Sequence, residues 1–315
     1  MINEFKKIGL MVQKNVALKD WTTFKIGGPA KYFVKVSDKD GLLKAIQTAV
    51  KLKVPFFILG GGSNVLIADS GFDGLVIKLE EGAVEFDGNK IKVFSGNNWP
   101  RFVRQTVEAG FSGLEFGANI PGTVGGAIFG NAGAYGKGAG DFVESVEIID
   151  ASDLACPPRI LNQTQCGFAY RESIFKKNKN WIIIEVIFEL EKDDRAPSKL
   201  VQIKNEYNTR CAKQPLDFSS AGCSFKNVIY HDGLGQFKNW AQNGKIPAAK
   251  FIEEAGLKGK KIGGAIVSDK HANFILNIGE ATADDVVQLI DFVKKTVSDK
   301  FRVELEEEVQ KVGFK

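Results

Sequence analysis

Leu59-Gly60-Gly61-Gly62-Ser63-Asn64-Val65-Leu66 and Asn119-Ile120-Pro121-Gly122-Thr123-Val124-Gly125-Gly126-Ala127 are the two stretches on which the fold turns; the second continues to Asn131-Ala132-Gly133-Ala134-Tyr135-Gly136. Glycine gives up more backbone freedom on folding than any other residue, so loops this rich in it need a cause. A common one is that backbone N–H groups must come close to an anion such as a nucleotide pyrophosphate. Both loops lie in the first half of the chain, separated by a strand–helix pattern, and they read as two parts of one cofactor site.

Working outward, Phe56-Phe57-Ile58-Leu59 is a short apolar run that delivers the chain to the first loop. Before it, Lys31 to Val36 alternates as a strand, and Leu42, Leu43, Ala45, Ile46, Ala49 and Val50 follow helical spacing up to Pro55. Leu75 to Leu79 is another strand. The result is a small α/β unit whose glycines follow a strand end, where phosphates are often held. No Gly-Lys-Ser/Thr follows, which excludes a Walker loop. Val65-Leu66-Ile67 reads as strand rather than helix, which disfavours a dinucleotide-binding G-x-G-x-x-G.

Further along, Lys90 to Phe94 reads as a strand. Asn98-Trp99-Pro100 starts a helix, with Asn98 as cap and Gly110 as stop. Eleven of the 31 residues from Gly110 to Gly140 are glycine, a density that predicts a structureless, functional loop. Strands follow at Val146 to Ile149 and Trp181 to Leu190. The polar run Glu191 to Ser198 marks a boundary. Helices are expected at Lys199 to Arg210, Ala248 to Glu254 and Ala283 to Val297, with Ala272 to Asn277 β-like.

A chain of 315 residues, 44% hydrophobic and 25% charged, is ordinary for a soluble globular protein of two or three domains. No apolar run reaches membrane-span length, and Met1 to Lys14 lacks a signal-peptide core, so a soluble cytoplasmic protein with no membrane partner is expected. The net charge of +4 is spread out, without a basic block interleaved with aromatics, so no nucleic-acid partner is expected. Cys156, Cys166, Cys211 and Cys223 form no C-x-x-C pair. With only His231 and His271 besides, no metal site is expected, and a Ser-His-Asp triad within the first 230 residues is excluded by count.

Three stretches stand out beyond the glycine loops. Tyr170-Arg171-Glu172-Ser173 sets an arginine beside an aromatic; such an arginine is usually a surface residue with a buried stem. Ser220-Ala221-Gly222-Cys223-Ser224-Phe225-Lys226-Asn227 surrounds a thiol with small and polar residues, unusual for a core strand, and Lys213 precedes it closely. Glu304 to Glu308 is an acidic run, in composition a solvated face.

Taken in order, these stretches closely resemble the UDP-N-acetylenolpyruvoylglucosamine reductases, the MurB family. The resemblance covers nearly the whole chain. Its motifs include Thr22 to Ala30, both glycine loops, Tyr170 to Phe175, Ser220 to Asn227, Ala255 to Gly259, Ser268 to Phe274 and Glu307-Glu308-Val309. It implies an α+β chain: a two-part FAD-binding fold of the vanillyl-alcohol-oxidase/PCMH type, then an α/β substrate domain. Residues 1–80 would form the first FAD-binding part, with 301–315 packing back on it; 81–198 would form the second, and 199–300 the substrate domain. Gly60, Gly61, Gly62, Ser63 and Asn64 would hold the FAD pyrophosphate. Pro121, Gly122, Thr123, Gly125, Gly126, Asn131, Gly133 and Tyr135 would run along the flavin.

The resemblance places the catalytic arginine at Arg171, the catalytic glutamate at Glu308 and the proton donor at Cys223. Tyr170, Lys213, Ser224 and Asn227 would meet the nucleotide-sugar substrate, and NADPH would supply hydride. The best-known relatives carry serine where Cys223 stands. Ser224 is next door, but the spacing from Gly222 to Phe225-Lys226-Asn227 favours Cys223. Thiols ionise near pH ~8.5, far below alcohols, so a cysteine gives up a proton readily. No histidine precedes His231, so the histidine tether of many oxidases of this fold is missing and non-covalent FAD is expected. The run from Tyr170 to Leu190 lacks an insertion, which matches the shorter subtype, and a monomer is expected. Two alternatives stay open: another flavoenzyme of the same fold acting on a sugar or hydroxy acid, and a non-catalytic nucleotide-binding module.

Overall fold

The computed structural model describes residues 1–314; Lys315, the end of the last expected segment, lies outside them. The chain divides into two compact units. One comprises Met1–Val16, Ala30–Gly61 and Asp73–Asn208; the other comprises Ala17–Pro29, Gly62–Phe72 and Thr209–Lys315.

The first unit is built on two sheets. A four-stranded sheet runs in the order Gln13–Ala17, Pro29–Val36, Phe72–Leu79, Phe56–Leu59. Phe56–Leu59 lies parallel to Leu75 through Lys78. The helix Lys39–Lys51 turns Leu42, Ala45, Ile46 and Ala49 inward, and the Asp38 carboxylate accepts the Gly41 N–H at its start. An antiparallel five-stranded sheet follows, in the order Arg159–Asn162, Val143–Asp150, Trp181–Glu189, Lys90–Phe94, Val84–Asp87.

Neighbouring residues on this second sheet enter different cores. Val93, Ile148 and Ile183 join one cluster, while Phe94, Ile149 and Ile184 join the cluster of the four-stranded sheet. A sheet buried on both faces needs continuous apolar runs, which is why Trp181-Ile182-Ile183-Ile184 does not alternate. The helix Trp99–Glu108 closes one face. Asn98 caps it by accepting the Arg101 N–H. Its Trp99 and Phe102 meet Phe188 at centroid distances of 5.9 and 5.4 Å.

The stretch Gly110–Gly140 is not structureless, as its glycine content predicts. It contains the helix Val124–Phe129, capped by Thr123, whose hydroxyl accepts the Gly126 N–H at 3.3 Å. Val124, Ala127 and Ile128 are buried beneath it. Gly125 is required by contact: a Cβ there would lie 2.9 Å from the Ser95 side chain. Tertiary burial of three apolar residues and one cap outweigh the helix cost of two glycines, about 1 kcal/mol each.

The second unit holds an antiparallel sheet in the order Ser219–Cys223, Phe274–Asn277, Ala265–Val267, Lys261–Ile262. The long helix Ala283–Phe301 packs on it through Val286, Leu289, Ile290, Val293 and Val297. Thr282 and Asp285 form a reciprocal capping box at its start. Near the end of the chain, Gln310–Val312 pairs in parallel with Val65–Ile67.

Candidate active site

Each unit holds its own set of candidate site residues in place. In the first unit the two glycine loops touch backbone to backbone. A Cβ on Gly61 would fall 2.7 Å from the Gly122 Cα, and one on Gly60 would fall 2.5 Å from the Thr123 Oγ1. Neither position admits a side chain without movement, so the two loops meet through backbone and the Thr123 hydroxyl. Pro121, Gly126 and Gly61 are exposed there, with Gly60, Gly122 and Gly125 half-buried and Thr123 buried. Exposed backbone at Gly61, Pro121 and Gly126 is the kind of surface that suits a pyrophosphate such as that of FAD.

The loop Asn131–Gly140 is pinned by Asn131, whose carboxamide oxygen accepts the Gly140 N–H at 2.9 Å and whose amide donates to the Ala169 carbonyl at 2.9 Å. That second bond joins the loop to the strap carrying Arg171. Arg171 has a left-handed backbone, φ 56°, and its Nη1 donates to the Gly133 carbonyl at 3.1 Å. Its guanidinium lies 5.6 Å from the centre of the Tyr170 ring, and Lys176 donates to its carbonyl. The buried Ser173 hydroxyl reaches the Phe129 carbonyl at 2.6 Å. A residue that accepts left-handed strain and is tied down on both sides is oriented by its surroundings. Asn131, Gly133, Tyr170 and Arg171 are therefore brought together. Tyr135, just beyond Gly133 on the same loop, is an exposed tip with φ 54°.

In the second unit, Cys223 and Glu308 arrive from distant parts of the sequence. Phe225 and Glu307 form an antiparallel bridge. On one side of it Glu308 N–H donates to the Ser224 carbonyl at 2.8 Å; on the other, Lys226 N–H donates to the Glu306 carbonyl at 2.8 Å. The first loop reaches the same place: the Asn64 amide donates to the Glu308 carbonyl at 3.1 Å, and the Asn64 carbonyl accepts the Gln310 N–H at 3.0 Å. Gly62 fits because its φ is +63° and a Cβ would lie 2.1 Å from the Trp21 carbonyl oxygen. Cys223 and Glu308 are half-buried and Ser224 is buried.

Charge around the bridge is paired. Lys226 is buried and its ammonium meets Glu306 at 2.5 Å. Burial raises the Glu307 carboxyl, but Lys311 at 2.8 Å and Lys294 at 2.9 Å overcome it and hold its pKa below the usual value. Lys213 ends its helix as an exposed residue, and the Asn227 carboxamide oxygen accepts the Ala248 N–H at 3.2 Å. Lys226, Glu306 and Asn273 belong to this framework and were not singled out by sequence reasoning. Their signal was present in Ser220 to Asn227 and Ser268 to Phe274, but only their partners reveal it.

Among the described residues no group of three or more His, Cys, Asp or Glu could hold a metal ion, and no helix is long and apolar enough to cross a membrane.

Fold and site together define an α+β flavoprotein with a dedicated C-terminal domain. The family model "FAD binding domain" matches residues 30–153, and "UDP-N-acetylenolpyruvoylglucosamine reductase, C-terminal domain" matches 214–312. Among similar proteins, a UDP-N-acetylenolpyruvoylglucosamine reductase of Thermotoga maritima is 42% identical, covering 92% of this chain and 94% of its own. That of Solibacter usitatus is 36% identical, covering 96% and 97%. The crystal structure of the Thermus caldophilus reductase (MurB) superposes with a TM-score of 0.75 at 31% identity, covering 96% of this chain and 99% of that one. This chain belongs to the UDP-N-acetylenolpyruvoylglucosamine reductase family.

Proposed function

We infer that the protein reduces UDP-N-acetylenolpyruvoylglucosamine to UDP-N-acetylmuramate, with FAD as cofactor and NADPH as hydride donor, in peptidoglycan precursor synthesis. Within this chain the observation that carries it is the Phe225–Glu307 bridge, which ties the Cys223 turn to Glu308.

Bound FAD would be held by Gly60 to Asn64 and by Pro121 to Tyr135, and would supply hydride to the terminal vinyl carbon of the substrate. Negative charge then grows on the adjacent carbon and its carboxylate. Arg171 is assigned to that charge, because a guanidinium stays protonated and offers a planar fork of donors. Glu308 is assigned to hydrogen-bond the same carboxylate as an acid. Preorganised donors in comparable sites are worth about 3–4 kcal/mol each. Cys223 gives its thiol proton to the α-carbon, which yields the lactyl ether, and the thiolate recovers a proton from solvent. Tyr170, Lys213, Ser224 and Asn227 are assigned to the nucleotide and its phosphates.

The functional division proposed is 1–80 and 81–198 for FAD and 199–300 for substrate. A cytoplasmic monomer with no nucleic-acid or membrane partner completes the proposal. Anaerobic mixing tests it: NADPH must bleach the yellow absorbance, and the enolpyruvyl nucleotide must then restore it with one product formed per flavin. A protein that takes up no FAD, or bleaches without recovering, refutes it.

A further inference from the structure

We propose that Asn273 is the positioning residue of the proton-handling pair, fixing the Cys223–Phe225 turn against the segment that carries Glu308. This rests on the assignment of Cys223 and Glu308 made above.

The regular ladder does not hold that turn. Ser219 and Ser220 pair with Asn277 and Leu276, but the register shifts before Cys223 meets Phe274. The irregularity contains Gly222, at φ +81°. Beyond Cys223 the backbone is held instead by Asn273, which is only 3% exposed. Its carbonyl accepts the Ser224 N–H at 2.7 Å. Its side chain accepts the Phe225 N–H at 3.0 Å and donates to the Phe225 carbonyl at 2.8 Å. One residue thus satisfies three backbone groups of the two residues after Cys223.

The other edge of the turn is held by the Glu308 N–H on the Ser224 carbonyl. Ser224 is therefore gripped on one side by Asn273 and on the other by Glu308. Removing the Asn273 side chain leaves the N–H and C=O of a buried phenylalanine without their partner, a state the turn escapes only by moving. Movement there displaces Cys223 relative to Glu308, and a shift of about 1 Å in a reacting group can cost 10²-fold in rate.

Asn273→Ala and Asn273→Asp, purified as holoenzymes, test the proposal. Asp keeps the acceptor for Phe225 N–H and loses the donor to its carbonyl, so it serves as the milder variant and as the fallback if Ala fails to fold. Bleaching by NADPH should be unchanged. Recovery by the enolpyruvyl nucleotide should slow about 10–100-fold in Ala and less in Asp, in kcat rather than KM. Alkylation of Cys223 by iodoacetamide, read against Cys156 and Cys211, should change about fivefold or more, and Ser224 and Phe225 amides should exchange faster.

Equal slowing of both half-reactions would overturn the proposal, as would normal recovery despite faster amide exchange, because Asn273 would then be merely structural. Failure of the donor assignment is distinguished by Cys223→Ala. If that variant recovers normally, the donor is another group, while the Cys223 alkylation and amide-exchange readouts still decide whether Asn273 holds the turn.

Discussion

Gly61→Ala is the sharpest test of where FAD is held. The added Cβ would sit 2.7 Å from the Gly122 Cα and 3.1 Å from its carbonyl carbon, where ordinary contact begins at 3.4 Å. Both partners are backbone, so no rotamer relieves the clash, and the two glycine loops must part by about 0.7 Å or more. Gly61 is not among the residues with positive φ, so backbone strain adds nothing. Overpacking of this kind costs roughly 1–3 kcal/mol. If the loops hold the pyrophosphate between them, that cost appears in the affinity for FAD as roughly 5- to 150-fold. Gly60→Ala should also lower stability, because its 2.5 Å clash is with the Thr123 hydroxyl, which can turn away only by giving up its cap on the Gly126 N–H. Gly235→Ala, with nothing within 4 Å, should be neutral. Titrating FAD into flavin-free protein, alongside melting temperatures, measures the series. A Gly61→Ala protein that melts lower yet binds FAD as tightly as the parent would show that the loops touch for structural reasons alone.

Cys223→Ser should retain appreciable turnover, whereas Cys223→Ala should accept hydride from NADPH and stall on the enolpyruvyl nucleotide; normal steady-state turnover of Ala would move the donor role elsewhere, to Ser224 first. Arg171→Lys should lose about 10²-fold in kcat, because a single ammonium cannot both hold the Gly133 carbonyl and present a fork to a carboxylate; unchanged kcat removes Arg171 from the chemistry. Glu307 is held below its ordinary 4.5, so its contribution to stability is present above that pH and is lost as pH falls through the lower folded value. Melting of Glu307→Gln against the parent should accordingly differ at pH 7 and converge only in acid below the lowered folded value; a constant difference refutes the ion pairs as its source. Acid precipitation should release all flavin into the supernatant, and colour left in the pellet would mean a covalent link.

Much of this protein is legible along the chain. The strands Phe56–Leu59 and Lys90–Phe94, the helix Ala248–Glu254 and the Asn98 cap are read correctly because each depends on local periodicity or on one side chain reaching three residues ahead. The same local rules failed at Val124–Phe129. There the favourable terms are burial and a close approach to Ser95, and a glycine count contains neither.

Sequence alone determined the residue types, the order of the motifs and the two glycine loops, whose glycines let the loops meet closely. Tertiary structure decided which acid in Glu304 to Glu308 stands where. The bridge at Phe225 and Glu307 gives Glu306 to Lys226, Glu307 to Lys294 and Lys311, and leaves Glu308 N–H on Ser224. The physical reason is register. Adjacent carboxylates are chemically alike, and they acquire different partners only when a hydrogen-bonded neighbour, far away in sequence, fixes which way each one points.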